Sequence, residues 1–207
     1  NWKNFDGVDY DEKTHRNTIF LFDSKSWDEQ VDDEHHNYDY LMGADLDFSY
    51  EGTVNEVKNW IKWYLDTTHI DGLRLDAIKH IPAYFYKDYL KMIRDYTKKE
   101  MFCVGEYWHG DVQHLNYYLD EVNYCMSLFD VPLHYNFYNA CHSNGTFDMR
   151  TIFSNTLVGT VPEKAVTFVD NHDTEPGQAL ESWIDDWFKP LAYSLILLRK
   201  DGLPCIF

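Results

Sequence analysis

Three acidic residues, Asp76, Glu106 and Asp173, each stand at or just past the C-terminal end of a run that reads as a β-strand, with helix-length segments between them. Where strands run parallel, these ends converge and the carboxylates meet. Such a cluster is costly unless a cation or a reaction uses it. Arg74 lies just upstream of Asp76, and alternation along a strand puts both on one face. Its permanent charge would keep Asp76 ionised, as a nucleophile must be. Glu106 follows the apolar run Met101–Val104 and precedes Tyr107 and Trp108. Those surroundings favour a protonated carboxyl, suited to donating a proton near neutrality. One ionised and one protonated carboxyl are the pair with which retaining glycosidases split a glycosidic bond.

The elements that must position these acids form a β/α succession from about Val54 onward. Thr53-Val54-Asn55-Glu56 has the form of a capping box, and Val54, Val57, Ile61 and Leu65 follow at helical spacing, predicting a helix that ends near Asp66. Asp71-Gly72 turns into a strand over 73–77. A second helix is expected from Pro82 to Lys98-Lys99, with Tyr86, Leu90 and Ile93 inward. Met101 to Tyr107 reads as the next strand. Asp111 is placed to cap a third helix bearing Val112, Leu115, Leu119 and Val122, and Met126 to Leu133 then looks extended. Strands are expected at Ala165–Asn171 and Leu203–Phe207, around a helix that starts near Pro190, carries Leu191, Leu195 and Leu198, and ends at Gly202. The count is five strands, all in 51–207. Residues 1–50 are aromatic, acid-rich and without helical period, as in an excursion from the main body; Asp32-Asp33-Glu34-His35-His36 within it reads as an exposed turn.

Lys plus Arg number 18 against 35 Asp plus Glu, a formal charge of -17 that argues against nucleic-acid and anionic-membrane partners. No run approaches the roughly 20 apolar residues of a membrane-spanning helix. Cys103, Cys125, Cys141 and Cys205 lack metal-ligand spacing in the sequence and read as buried free thiols, which leans towards a reducing, cytoplasmic compartment over secretion. With no initiator Met at Asn1 and an apolar run still in progress at Phe207, the chain reads as a piece of a longer protein.

The segments Asp71-Gly72-Leu73-Arg74-Leu75-Asp76-Ala77-Ile78-Lys79-His80, Gly105-Glu106-Tyr107-Trp108 and Phe168-Val169-Asp170-Asn171-His172-Asp173 resemble three sequence blocks of the α-amylase family, glycoside hydrolase family 13, in the right order. Asn37–Met42 and Trp187–Tyr193 resemble its bacterial liquefying-type members in particular. The resemblance implies an α/β fold: an incomplete TIM (β/α)8 barrel over 51–207, holding about the last five strands, with 1–50 the C-terminal part of the inserted calcium-binding domain B. It implies that Asp76 is the nucleophile, Glu106 the general acid/base and Asp173 the stabiliser of an oxocarbenium-like transition state. His172 would bond a sugar hydroxyl, Arg74 would orient Asp76, and Lys79, His80 and Trp108 would line sugar subsites. A monomer cleaving α-1,4-glucans internally is expected. Other readings are a transglycosylase or exo-glucosidase of the same family, or a calcium-dependent glucan-binding protein without catalysis.

Asp6, Asp28, Asp39, Asp45 and Asp47 offer hard oxygen ligands that suit calcium better than a transition metal. By the resemblance these acids hold Ca2+, with Na+ in some members, and the His80 carbonyl ties the ion to the catalytic strand. Ser49 stands where many members carry another acid, whereas Ser26 occupies a position used through its carbonyl. Met42 would lie near the cleft, where its oxidation would disturb binding.

Overall fold

The structure is a computed structural model that describes residues 46–207 in full and, before them, the strands β1 (Gly7–Asp11) and β2 (Arg16–Leu21). Asp6, Ser26, Asp28, Asp39, Met42, Asp45 and the 32–36 turn lie outside the described residues. The chain divides into two compact units, 1–72 with 78–101, and 73–77 with 102–207.

In the first unit β1 and β2 pair antiparallel with a register shift between Val8 and Tyr10, a pair that the aromatic, acid-rich sequence did not lead us to expect. Helix α1 (Glu51–Thr68) starts ahead of the expected capping box. Its N-cap is Tyr50, without a side-chain bond, and Thr53 is buried inside the helix. The tight turn before it explains the early start: Ser49 N–H donates to Asp47 Oδ1 at 2.9 Å, and Tyr50 N–H reaches the Asp47 carbonyl at 3.4 Å. Phe48, on that turn, is buried with its ring 4.5 Å from Phe85, so packing overrides the local capping signal. Helix α2 (Ala83–Thr97) follows Pro82 and stops at Lys98, whose left-handed φ of 55° ends the ladder. Tyr86, Leu90 and Ile93 are buried as their spacing requires.

The second unit is built on a five-stranded sheet in the order β3 (Gly72–Leu75), β4 (Phe102–Gly105), β5 (Ser127–Phe129), β6 (Ala165–Thr167), β7 (Leu203–Pro204). Strands β4 to β7 pair parallel in chain order, with helices in the connections. This is the α/β succession of an incomplete (β/α)8 barrel. Helix α3 (Val112–Glu121) is capped as expected, with Asp111 accepting from Gln113 N–H at 2.9 Å, and Val112, Leu115, Leu119 and Val122 are buried. Leu115 is fully enclosed, so its truncation to Ala would cost about 2–5 kcal/mol.

Three expectations are corrected here. The extended run foreseen to Leu133 ends at Phe129, and helix α4 (Val131–Cys141) begins instead. Asp130 caps it by accepting from Leu133 N–H at 3.1 Å, and Pro132 sits in its first turn, where proline lacks only a hydrogen bond the helix does not make. In helix α6 (Lys189–Leu198) the buried side chains are Ala192 and Ile196, while Leu191 and Leu198 of the expected stripe are exposed. The helix is apolar nearly all round, so periodicity names no unique inner face. The short helix α5 (Leu157–Thr160) precedes β6. All four cysteines are free; Cys103 and Cys141 are buried as foreseen, but Cys125 and Cys205 are half-exposed. Among the described residues no helix is long and apolar enough to cross a membrane.

Candidate active site

Strands β3 and β4 deliver their residues side by side: Glu106 N–H, one residue past β4, donates to the carbonyl of Leu75, the last residue of β3, at 2.9 Å. That register brings Asp76 and Glu106 to the same sheet end. Arg74 joins them: Nη1 lies 2.6 Å from Asp76 Oδ1 and Nη2 lies 3.1 Å from Glu106 Oε2. Sequence reasoning assigned Arg74 to Asp76 alone; its fork spans both acids, which only strand pairing reveals. The Arg74 guanidinium also lies 6.0 Å from the centre of the Phe129 ring.

The two acids occupy opposite environments. The Asp76 side chain is 66% exposed and that of Glu106 only 8%. Burial raises the Glu106 carboxyl above the ordinary glutamate value; the Arg74 charge opposes this, and the neighbouring Asp76 adds to it. Glu106 Oε1 is buried without a hydrogen-bond partner among the described residues. Its Oε2 also receives the Ala77 N–H at 3.4 Å. Ala77 makes that contact from a left-handed φ of 44°, a conformation a residue with a Cβ adopts at a cost. The chain is thus bent sharply just after Asp76.

Asp173 is placed by a different device. After β6 the chain passes through buried Phe168, Val169 and Asp170 into a side-chain-directed turn. Asn171 Oδ1 accepts from the backbone N–H groups of Asp173 and Thr174, both at 3.0 Å, and Asn171 N–H donates to Thr174 Oγ1 at 3.0 Å. Buried Asp170 anchors the turn: Oδ1 accepts from Ile184 N–H at 3.2 Å, and Oδ2 lies 3.4 Å from Lys189 Nζ. The half-buried Asp173 has Oδ2 3.2 Å from His172 Nε2. Asp170, Asn171 and Thr174 were not singled out from the sequence, although Asn-x-x-Thr is a recognisable turn signal.

Trp108 is half-buried, with Nε1 donating to Tyr135 Oη at 3.0 Å and its ring 5.9 Å from that of His134. His134 is fully buried, stacks on Phe168, and contacts the Val169 carbonyl through Nδ1 at 2.6 Å and Ser182 Oγ through Nε2 at 2.8 Å. Burial lowers its pKa to about 4, so at neutral pH it braces the segment before Asp173 as a neutral ring. Lys79 and His80 occupy a single 3-10 turn (Ile78–His80) of the first unit, both half-buried. Of the expected calcium ligands, Asp47 and His80 are described. Asp47 Oδ1 is held by the Ser49 amide and hydroxyl, which fixes a carboxylate in place, and the all-oxygen donor set fits a hard cation.

Asp76, exposed, and Glu106, buried, thus meet around Arg74 at the C-terminal ends of adjacent strands, the end at which β/α enzymes carry their sites. Residues 5–207 match the family model described as "Alpha amylase, catalytic domain". The chain is 56% identical over 208 residues to an alpha-amylase of Geobacillus stearothermophilus, covering 100% of this chain and 38% of that protein. It is 50% identical over 206 residues to the alpha-amylase of Bacillus licheniformis, covering 100% of this chain and 40% of that protein. The fold resembles the crystal structure of the γ-CGTase of alkalophilic Bacillus clarkii, with a TM-score of 0.64 at 22% identity over 91% of this chain and 29% of that one. This chain therefore belongs to the alpha-amylase catalytic-domain family. It spans about two-fifths of the length of the curated relatives it matches.

Proposed function

We propose that the protein containing this chain is an endo-acting, retaining glycoside hydrolase of α-1,4-glucans, with residues 51–207 as part of its catalytic barrel and 1–50 as part of an inserted domain. The observation that carries this is the opposed setting of Asp76 and Glu106 around one arginine: an open carboxylate paired at 2.6 Å, and a buried carboxyl whose proton affinity is raised. Glu106 donates its proton to the glycosidic oxygen as the bond to the anomeric carbon breaks. Asp76 attacks that carbon from the opposite face and forms a glycosyl ester. Glu106, now ionised, takes a proton from water, which cleaves the ester and restores the original configuration. Arg74 orients Asp76 through their 2.6 Å contact. Asp173 lends negative charge to the oxocarbenium-like transition state, and His172 beside it bonds a sugar hydroxyl. The half-exposed face of Trp108 offers a stacking surface for a glucose ring.

We also propose that Ca2+ is held by Asp6, Asp28, Asp39, Asp45 and Asp47 with the His80 carbonyl. The ion would supply charge that fixes the segment carrying these acids; no bond-breaking step passes through it.

Starch hydrolysis by the protein and by Asp76→Asn tests the reading. A ladder of short α-anomeric maltooligosaccharides, lost in the variant, is the expected result. Elongated chains would indicate transfer, glucose alone exo-attack, and binding without cleavage would sink the hydrolase reading.

A further inference from the structure

Away from the carboxylate site, the end of α4 and the segment leading into α6 bring a thiol, an imidazole and a carboxylate together. Cys141 Sγ, a His142 ring nitrogen and an Asp185 carboxylate oxygen all lie within 4.8 Å of one another, the one such grouping among the described residues. His142 Nε2 is 3.8 Å from Asp185 Oδ2. We propose that Cys141, His142 and Asp185 form a Zn2+ site that clips the C-terminus of α4 to the start of α6.

Ligand chemistry selects the ion. A set of one sulfur, one imidazole nitrogen and one carboxylate oxygen suits a borderline-soft cation in tetrahedral coordination, with water in the fourth position, and does not suit calcium. An independent observation concerns the ring's orientation. His142 Nδ1 lies 2.9 Å from the Tyr138 carbonyl, which can only accept, so Nδ1 is the donor there and Nε2, on the Asp185 side, is the nitrogen left to take a metal. Imidazole ligands of metals are oriented by this kind of backbone carbonyl. The place also suits a cation, because the last carbonyls of an α-helix carry partial negative charge and Cys141 and His142 sit at the end of the 11-residue α4.

Donor atoms around tetrahedral zinc lie about 3.5 Å apart, so the group must close by about 1 Å. The His142 and Asp185 side chains are 41% and 52% exposed and have room to turn inward. Cys141 is buried and fixed, its Sγ receiving the Asp185 N–H at 3.4 Å. Burial pushes the thiol up; the Asp185 N–H already offsets part of this, and a bound dication displaces the remaining proton to solvent. The Asp185 backbone carbonyl accepts from Phe188 N–H at 2.9 Å and Lys189 N–H at 3.2 Å, so an ion held by its carboxylate would link α4 to the turn that leads into α6.

Co2+ titrated into the metal-stripped protein, with Ca2+ saturating any all-oxygen site, reads the coordination. The expected result is one equivalent bound with tetrahedral d–d bands and a thiolate-to-cobalt charge-transfer band, displaced by Zn2+. Cys141→Ser should abolish the charge-transfer band, and His142→Gln and Asp185→Ala should each weaken Co2+ binding about 10-fold or more. Because the last two side chains are half-exposed, these variants keep the fold and remain informative. The proposal is overturned by a missing thiolate band, by its survival in Cys141→Ser, or by unchanged affinity in both other variants.

Discussion

Glu106 and Asp130 are both acids at the ends of neighbouring strands, 6% and 0% exposed, and burial raises the carboxyl of each. They differ in how their oxygens are satisfied. Asp130 accepts from the backbone N–H groups of Leu133 at 3.1 Å, Leu157 at 3.0 Å and Val158 at 2.7 Å, so both oxygens serve as caps where helices begin. Glu106 has one oxygen against Arg74 and Ala77 and another with no partner among the described residues. A buried carboxyl filled with backbone donors secures architecture. One left half-satisfied beside an arginine retains capacity to exchange a proton, at a cost to stability.

Replacing each acid by its amide separates the two roles most sharply. Glu106→Gln should lower kcat on starch by about 10²–10⁴-fold with little loss of stability. Full activity in this variant would remove Glu106 from the mechanism. Asp130→Asn puts an NH2 group against backbone donors and should destabilise the fold by about 3 kcal/mol in urea unfolding while leaving activity per folded molecule intact. If the two variants exchanged these effects, the distinction drawn from their hydrogen bonds would collapse.

The pH dependence sharpens the contrast further. Arg74 lowers the Glu106 carboxyl against the larger effect of burial, so Arg74→Met should move the alkaline limb of kcat/KM to higher pH, because the proton donor stays protonated longer. An unmoved limb would mean that another group sets it. Stability follows the same group. Between the ordinary glutamate value and the raised folded value, the folded protein binds more protons than the unfolded one, so stability falls as pH rises. Glu106→Gln should flatten that fall in denaturation midpoints measured across the window.

The smallest effect is expected at the third acid. Asn171→Ala removes two bonds to the Asp173 turn and should cost about 1 kcal/mol of stability. It should lower kcat more than it raises KM if that turn positions Asp173 for the transition state.

Much of this was legible in the sequence, for reasons local to the chain. Asp111 precedes an apolar stripe and caps α3; Tyr86, Leu90 and Ile93 recur at helical spacing and are buried; acids follow short apolar runs, and those runs are strands. Periodicity, caps and turn chemistry act over a few residues, and so can be read from them. Where signals compete they mislead: the Thr53 capping box yields to the Asp47–Tyr50 turn packed through Phe48, and the apolar run to Leu133 hides the Asp130 cap and Pro132 that start α4.

What tertiary structure alone decided are pairings between distant parts of the chain. The sequence placed Arg74 beside Asp76 but not against Glu106, because that contact depends on the register of β3 with β4. Nor does spacing reveal Cys141 and His142 meeting Asp185, or Asp130 spanning to Val158. Residue types set which chemistry is available, and alternation and helical period set which face each side chain takes. Distances across strands and between helices are set by packing of the whole unit, and on those distances depends which oxygen keeps its proton.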